Sequence, residues 1–294
     1  LIAKKLCEKP KGILAADEST NTIKKRFDSI NVQSTFEKRR DYRDLLFKTP
    51  NLNKFISGVI LYDETIRQED SNKLPLAKYL ADNDIMPGIK VDIGAIPLVN
   101  NSSEKLTEGL DGLGKRLEEY KVLGASFTKW RAIITIDNEK NLPSNYCIES
   151  NSFNLARYAK IVQDCGLVPI VEPEVIMDGN HSIDDCYKVT CKTLKSVFSQ
   201  LELHKVFLGG ILLKPNMVIS GTLNQDQATV DTVADLTLEC LNKCVPKDVP
   251  GIVFLSGGQS NKLATEHLNV MNKKANNLPW NLSFSYGRAL QQPS

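Results

Sequence analysis

The chain has 294 residues, with 37 lysines and arginines against 35 aspartates and glutamates, a formal net charge of +2. That balance gives no reason to expect a polyanion such as DNA as the main partner. A content of 41% hydrophobic and 24% charged residues is that of a folded protein, not of a disordered one.

The start, LIAKKLCEKPKGILAADES, lacks the apolar core of a signal peptide. Eight short apolar or β-branched segments then follow one another. They are GILAADES from Gly12, FISGVILY from Phe55, PGIKVD from Pro87, FTKWRAII from Phe127, VPIVEPE from Val168, GGILLKP from Gly209, GIVFLSGG from Gly251 and LSFSYG from Leu282. Their starts lie 31 to 43 residues apart. Helix-like stretches fall between them. Leu106–Leu123 carries Leu110, Leu113, Leu117 and Tyr120 at helical spacing, and Asn154–Cys165 places Leu155, Tyr158, Ala159 and Val162 on one face. Asp184–Phe198 and Thr229–Cys244 repeat that spacing. The longest apolar stretch, around Val206–Leu213, is far short of the roughly 18 residues of a membrane span.

Strands alternating with amphipathic helices predict a parallel sheet of βαβ units. Eight units in this length fit an α/β fold of the (β/α)8 barrel type, with a doubly wound open sheet as the alternative. No linker or composition shift divides the chain, so residues 1–294 are expected to form one domain. GLDGLGKR, Gly109–Arg116, contains a G-x-G but sits in a helix-like stretch and is no dinucleotide fingerprint.

The seven cysteines form no C-x-x-C motif. Cys186/Cys191 and Cys240/Cys244 lie in helix-like segments and read as small buried hydrophobes. Free thiols in a reducing, cytoplasmic compartment are expected. The three histidines, His181, His204 and His267, are far apart, with no H-E-x-x-H, so no metal site is expected.

Function is carried by polar residues where a buried parallel strand should be apolar. The first segment carries Asp17 and Ser19 as part of its strand. The third carries Lys90 and Asp92, the fourth Lys129 and Arg131, the fifth Glu172 and Glu174, and the sixth Lys214. The charged residues come late in their strands, where a barrel places its active site. Several are i, i+2 pairs, which share one side of a strand. Trp130, between Lys129 and Arg131, should point the other way, into the barrel wall.

Lysines and acids converging on a desolvated mouth suit Schiff-base chemistry. At the ordinary pKa of about 10.4, only about 0.04% of a lysine is neutral at pH 7. Lowering it to about 8 raises that to about a tenth, at a cost of roughly 3 kcal/mol. An iminium then acts as an electron sink, and a bond β to its nitrogen can break without a redox or pyridoxal cofactor. Glu172 or Asp17 would move the protons. Among Lys90, Lys129 and Lys214 this reasoning makes no choice.

LSGGQS follows the seventh strand and SYGR the eighth, and the loops after these strands form the usual phosphate site of a barrel. Ser256, Gly257, Gly258, Gly287 and Arg288 are therefore candidates for one phosphate. Ser19, Lys90 and Arg131 could hold a second anion, which points to a substrate charged at both ends.

At KGILAADEST, PGIKVD, FTKWRA, VPIVEPE, LLKPNMV, FLSGGQS and FSYGRAL the chain closely resembles the class I fructose-1,6-bisphosphate aldolases of eukaryotic type. The match spans nearly the whole sequence, in order. The resemblance implies a lyase of glycolysis and gluconeogenesis that splits fructose 1,6-bisphosphate reversibly into dihydroxyacetone phosphate and glyceraldehyde 3-phosphate, with no metal or other cofactor. It implies that Lys214 forms the Schiff base, that Glu172 is its acid/base with Glu174 in the same network, and that Asp17 and Lys129 support carbon–carbon cleavage. By the same resemblance Ser256, Gly257, Gly287 and Arg288 hold the 1-phosphate, while Ser19, Lys90 and Arg131 receive the other end. After DEST the family has Gly or Pro and then Ser. Here Asn21 and Thr22 stand, and Thr22 keeps a hydroxyl for the phosphate. The family's mobile C-terminal tail, which ends in a functional Tyr, has no counterpart up to Ser294. A homotetramer is implied, as is secondary binding of actin or acidic peptide tails. The rivals are another Schiff-base barrel, such as a transaldolase-like transferase whose substrate carries one phosphate, and a binding scaffold, which would not need Lys214 opposite Glu172.

Overall fold

A computed structural model describes residues 2–99, 102–275 and 277–294. Eight parallel strands close into a barrel in the order β1, β10, β9, β8, β7, β6, β3, β2. They are β1 (Gly12–Ala16), β2 (Ile56–Leu61), β3 (Met86–Lys90), β6 (Phe127–Ile134), β7 (Val168–Val175), β8 (Leu212–Leu213), β9 (Gly251–Phe254) and β10 (Asn281–Tyr286). An antiparallel hairpin, β4 (Gly94–Pro97) with β5 (Lys105–Glu108), stands outside that ring. The closed (β/α)8 barrel expected from the alternation is therefore the fold, and the open sheet is excluded.

Helix α1 (Ile2–Leu6) precedes β1. Helices α2 (Thr20–Asp28) and α3 (Phe36–Phe47) lie between β1 and β2, and α4 (Asp63–Ile66) and α5 (Leu76–Asp82) between β2 and β3. Helix α6 (Leu113–Val122) leads into β6, and α7 (Asn145–Asp164), α8 (Ile183–Leu203), α9 (Val230–Cys244) and α10 (Asn261–Lys274) follow β6, β7, β8 and β9 in turn. Helix α11 (Arg288–Gln291) closes the chain after β10. Serine or threonine caps start most of the long helices. Ser182 accepts from the Asp185 backbone N–H, and the Asp185 carboxylate accepts from Ser182 in return, a capping box for α8.

Two packed regions sit on either side of the strands. The larger lies between sheet and helices and includes Leu14, Val59, Trp130, Val171, Leu213 and Phe254. The smaller fills the barrel's N-terminal end, where Ala3, Leu6 and Cys7 plug a layer made by Ile13, Ile60, Phe127, Ile170, Leu212 and Val253. Gly88 makes room there, because a Cβ on it would stand 2.3 Å from the Phe127 ring. Side chains alternate along a strand. Two residues beyond this apolar floor, β6, β7 and β8 therefore bring Lys129, Glu172 and Lys214 to the same interior, where Ser285 of β10 joins them. Between them, Thr128 and Trp130 face outward onto Tyr158 of α7. The Thr128 and Tyr158 hydroxyls are 2.6 Å apart, and the Trp130 and Tyr158 rings are 5.4 Å apart. Trp130 thus points into the wall, as expected.

Three local expectations need correction. Leu106–Leu123 is not one helix, because Lys105–Glu108 is a strand and α6 begins only at Leu113. The reason is local: Gly109 and Gly112 take φ of +128° and +67°, which a helix does not allow. Gly109 also approaches the backbone of Val91 and Ile93 so closely that a Cβ would meet both at 3.1 Å. GGILLKP forms only two residues of strand, and Gly209–Gly210 belong to a 3₁₀ turn. Asp17, Ser19, Asp92 and Lys214 lie just past their strands, in the loops at the C-terminal mouth, where Ser256, Gly257, Gly258 and Gly287 lie as expected, while Arg288 opens α11.

Candidate active site

The mouth opens into a cavity of about 920 Å³. Asp17, Ser19, Thr22, Lys90, Lys129, Arg131, Glu172, Glu174, Lys214, Ser256, Gly257, Gly287 and Arg288 all line it. Gly258 does not: it is exposed, and its Cα faces Met177, whose sulfur a Cβ would meet at 2.9 Å. Its backbone N–H donates to the Met177 sulfur.

At the bottom, four carboxylates meet four cations. Lys129 Nζ stands 2.7 Å from Asp17 Oδ2, 3.5 Å from Glu172 Oε2 and 3.9 Å from Asp92 Oδ2. Lys90 Nζ is 2.6 Å from Asp92 Oδ1 and also donates to the Asp92 carbonyl at 2.7 Å. Arg131 donates through Nε to Glu174. Lys214 Nζ has Glu172 Oε1 at 3.2 Å. Lys129, Glu172, Glu174, Lys214 and Asp92 are buried. Charges of either sign alone would be costly there, and the pairing offsets the desolvation.

The three lysines keep different company. Burial by itself would lower the Lys129 ammonium, but the Asp17, Glu172 and Asp92 carboxylates outweigh it and hold that pKa well above the usual lysine range. Lys129 is a fixed cation. Burial would likewise raise the Asp17 carboxyl, yet Lys129, Lys214 and Lys90 bring it down to about 2. Glu174 and its neighbours hold Arg131 charged against its own burial. Glu172 touches both Lys129 and Lys214, so it stands within proton-transfer reach of the less paired amine.

At one side of the mouth, the loops after β9 and β10 meet. Arg288, the first residue of α11, donates to the carbonyls of Gly257, at 3.2 Å, and of Gln259. Ser256 and Gly257 are thereby tied to Gly287 and Arg288. Next to them, after β1, the strand that pairs with β10, Ser19 caps α2: its hydroxyl accepts from Thr22 N at 3.4 Å and lies 3.2 Å from Thr22 Oγ1. The Asn21–Thr22 departure therefore leaves two hydroxyls together at the cavity edge.

The structure adds residues that sequence reasoning passed over. Asp92 was visible at i+2 from Lys90 but had no role, and it anchors Lys90, Lys129 and the Arg131 backbone N–H together. Glu18 lines the wall between Arg26, at 2.6 Å, and the buried Arg43, at 3.1 Å. Only folding brings α3 under that loop. Ser285 also lines the cavity, with its buried hydroxyl making no hydrogen bond among the described residues. Its signal was the alternation of β10. Thr107, from the unexpected hairpin, donates to the Arg131 carbonyl at 2.7 Å and completes the rim.

The sequence model of the glycolytic class-I fructose-bisphosphate aldolases matches residues 1–294. A probable class 1 fructose-bisphosphate aldolase of Xanthomonas campestris pv. campestris is 57% identical over 282 residues, 96% of this chain and 84% of that protein. A fructose-bisphosphate aldolase of Plasmodium falciparum is 50% identical over 289 residues, 98% of this chain and 78% of that protein. A solved structure of the fructose-bisphosphate aldolase from Plasmodium falciparum, in complex with TRAP and a small-molecule inhibitor, matches with a TM-score of 0.97 at 50% identity. That match covers 99% of this chain and 84% of the other.

Proposed function

Because the chain belongs to the class I fructose-bisphosphate aldolase family, we propose that Lys214 is the amine that carries its chemistry. The protein is a metal-independent lyase. It cleaves fructose 1,6-bisphosphate reversibly to dihydroxyacetone phosphate and glyceraldehyde 3-phosphate through a lysine Schiff base, in glycolysis. The observation that supports Lys214 is its company: among the described residues it has a single carboxylate partner, at 3.2 Å, where Lys129 has three and Lys90 is bound twice to Asp92.

In this reading neutral Lys214 attacks the C2 carbonyl of the open-chain sugar. Glu172 gives a proton to the departing hydroxyl, and water leaves as the iminium forms. Glu172 then takes the proton of the C4 hydroxyl. The C3–C4 electron pair moves to the iminium nitrogen, and glyceraldehyde 3-phosphate is released. Protonation of the enamine at C3 and hydrolysis free dihydroxyacetone phosphate and restore Lys214. Asp17, held at about 2, is too weak a base for these transfers. It stays ionised, with Lys129 as a fixed cation beside the reacting carbons. Ser256, Gly257, Gly287 and Arg288 hold the 1-phosphate. Ser19, Thr22, Lys90 and Arg131 receive the 6-phosphate end, and Glu174 keeps Arg131 in place.

We place the enzyme in the cytoplasm, a reading supported by seven free cysteines. No described helix is long and apolar enough to cross a membrane. A homotetramer rests on the family resemblance, and one catalytic domain over 1–294 on the single barrel. Secondary binding of acidic peptide tails or actin rests on the family resemblance, beside a relative solved in complex with TRAP. Competition between an acidic peptide and fructose 1,6-bisphosphate measures it, and no displacement at saturating sugar rules out a shared site.

The chemistry is tested by adding borohydride to the protein with dihydroxyacetone phosphate and mapping the reduced adduct by mass spectrometry. An adduct on the Lys214 peptide is expected. An adduct on Lys90 or Lys129 would overturn the assignment.

A further inference from the structure

Helices α8 and α9 pack side by side on the outside of the barrel, and three cysteines meet between them. Cys240 and Cys244 stand one turn apart, at i and i+4, and so share one face of α9. Cys191 of α8 faces them. The three sulfurs lie within 4.8 Å of one another, and those of Cys191 and Cys240 are 3.0 Å apart. All three residues are buried. Sequence reasoning took Cys191, Cys240 and Cys244 for small hydrophobes of their own helices, because their convergence from two helices is not visible in spacing.

From this geometry we infer that Cys191, Cys240 and Cys244 form a binding site for a soft, thiophilic metal ion, with copper(I) as the ion that fits. A metal–sulfur bond of about 2.3 Å places three sulfurs about 4 Å apart around one ion, close to the observed cluster. The Cys191–Cys240 edge has to open by about 1 Å. No histidine or carboxylate joins the group among the described residues. Glu239, next to Cys240, turns instead to the Tyr187 hydroxyl at 2.7 Å. Soft thiolates take both copper(I) and zinc, but structural zinc is almost always four-coordinate, so three sulfurs with no fourth His, Cys or carboxylate ligand among the described residues favour copper. Binding releases thiol protons to the solvent, and the copper keeps its oxidation state. None of the three cysteines lines the barrel cavity, so the site is independent of the lyase reading.

The test uses the whole protein under anaerobic conditions, with copper(I) supplied in competition with a chromophoric chelator. One equivalent per chain is expected to be retained, with a thiolate-to-copper charge-transfer band in the ultraviolet. Removing an outer partner of a metal ligand already costs about 10- to 100-fold in affinity. Cys191→Ser, Cys240→Ser and Cys244→Ser, which each remove a ligand, should therefore weaken retention by more than about 100-fold. Cys165→Ser should bind as the unmodified chain does. Retention unchanged in the three serine variants, or zinc(II) held as tightly as copper(I), would overturn the proposal. If a variant fails to fold, alkylation of the unmodified protein with and without one equivalent of copper(I) decides. Protection confined to Cys191, Cys240 and Cys244 supports the site, and any other pattern sinks it.

Discussion

Lys90, Lys129 and Lys214 share one cavity, and their counter-ions divide the labour among them. Lys129 is surrounded by carboxylates and stays charged, while among the described residues Lys214 pairs only with Glu172. Replacing Lys214 by Met should lower kcat by about four to six orders of magnitude, as removal of a covalent nucleophile does elsewhere. Steady-state turnover and loss of the borohydride adduct together check this. Asp17 gives a pH prediction. Its folded value of about 2 lies below its ordinary 3.8. The stabilisation is therefore complete well above pH 3.8 and is lost as pH falls through 3.8 towards 2. Its size is about 2 kcal/mol. Asp17→Asn should lose that amount at pH 7, and the gap to the unmodified protein should shrink to about half by pH 3. Urea unfolding across that range measures both numbers.

At the scale of elements, the proposed phosphate seat is made by two loops that are far apart in sequence. Arg288 opens α11 and reaches back to the carbonyls of Gly257 and Gln259, so one side chain ties together the loops that follow the paired strands β9 and β10. Arg288→Ala removes a charged donor and the tether. The loss should raise the KM for fructose 1,6-bisphosphate by about 10- to 100-fold, the range of a hydrogen bond to a charged group. Unchanged KM would move the proposed phosphate seat elsewhere. The β4–β5 hairpin acts on the opposite wall. It brings Thr107 under Arg131, and with Gly94 and Ala95 it narrows the cavity rim.

The whole barrel is a stack of two unlike layers. Phe127, Ile170, Leu212 and Val253 make an apolar floor, and the charged set stands on it two residues later along the strands. The floor depends on Gly88, which leaves the Phe127 ring its place. Gly88→Ala should destabilise the protein by about 1–3 kcal/mol through overpacking. Denaturant unfolding reads that loss directly, and a stable variant with normal turnover would show that the floor can repack.

By itself the sequence determined the alternation of strand and helix, the count of eight, and the polar residues that end the strands. Each is a local pattern: period two in a strand, near 3.6 in a helix, and charge where a buried strand should be apolar. It also placed Lys129 with Arg131 and Glu172 with Glu174 on shared sides, since neighbours two apart in a strand need no tertiary information. Only the tertiary structure decided which lysine is paired with which acid, how Asp92 and Arg43 enter the network, that Gly258 turns away, and that three cysteines converge. These are contacts between residues far apart in the chain. They are set by barrel closure and helix packing, about which local spacing carries no information.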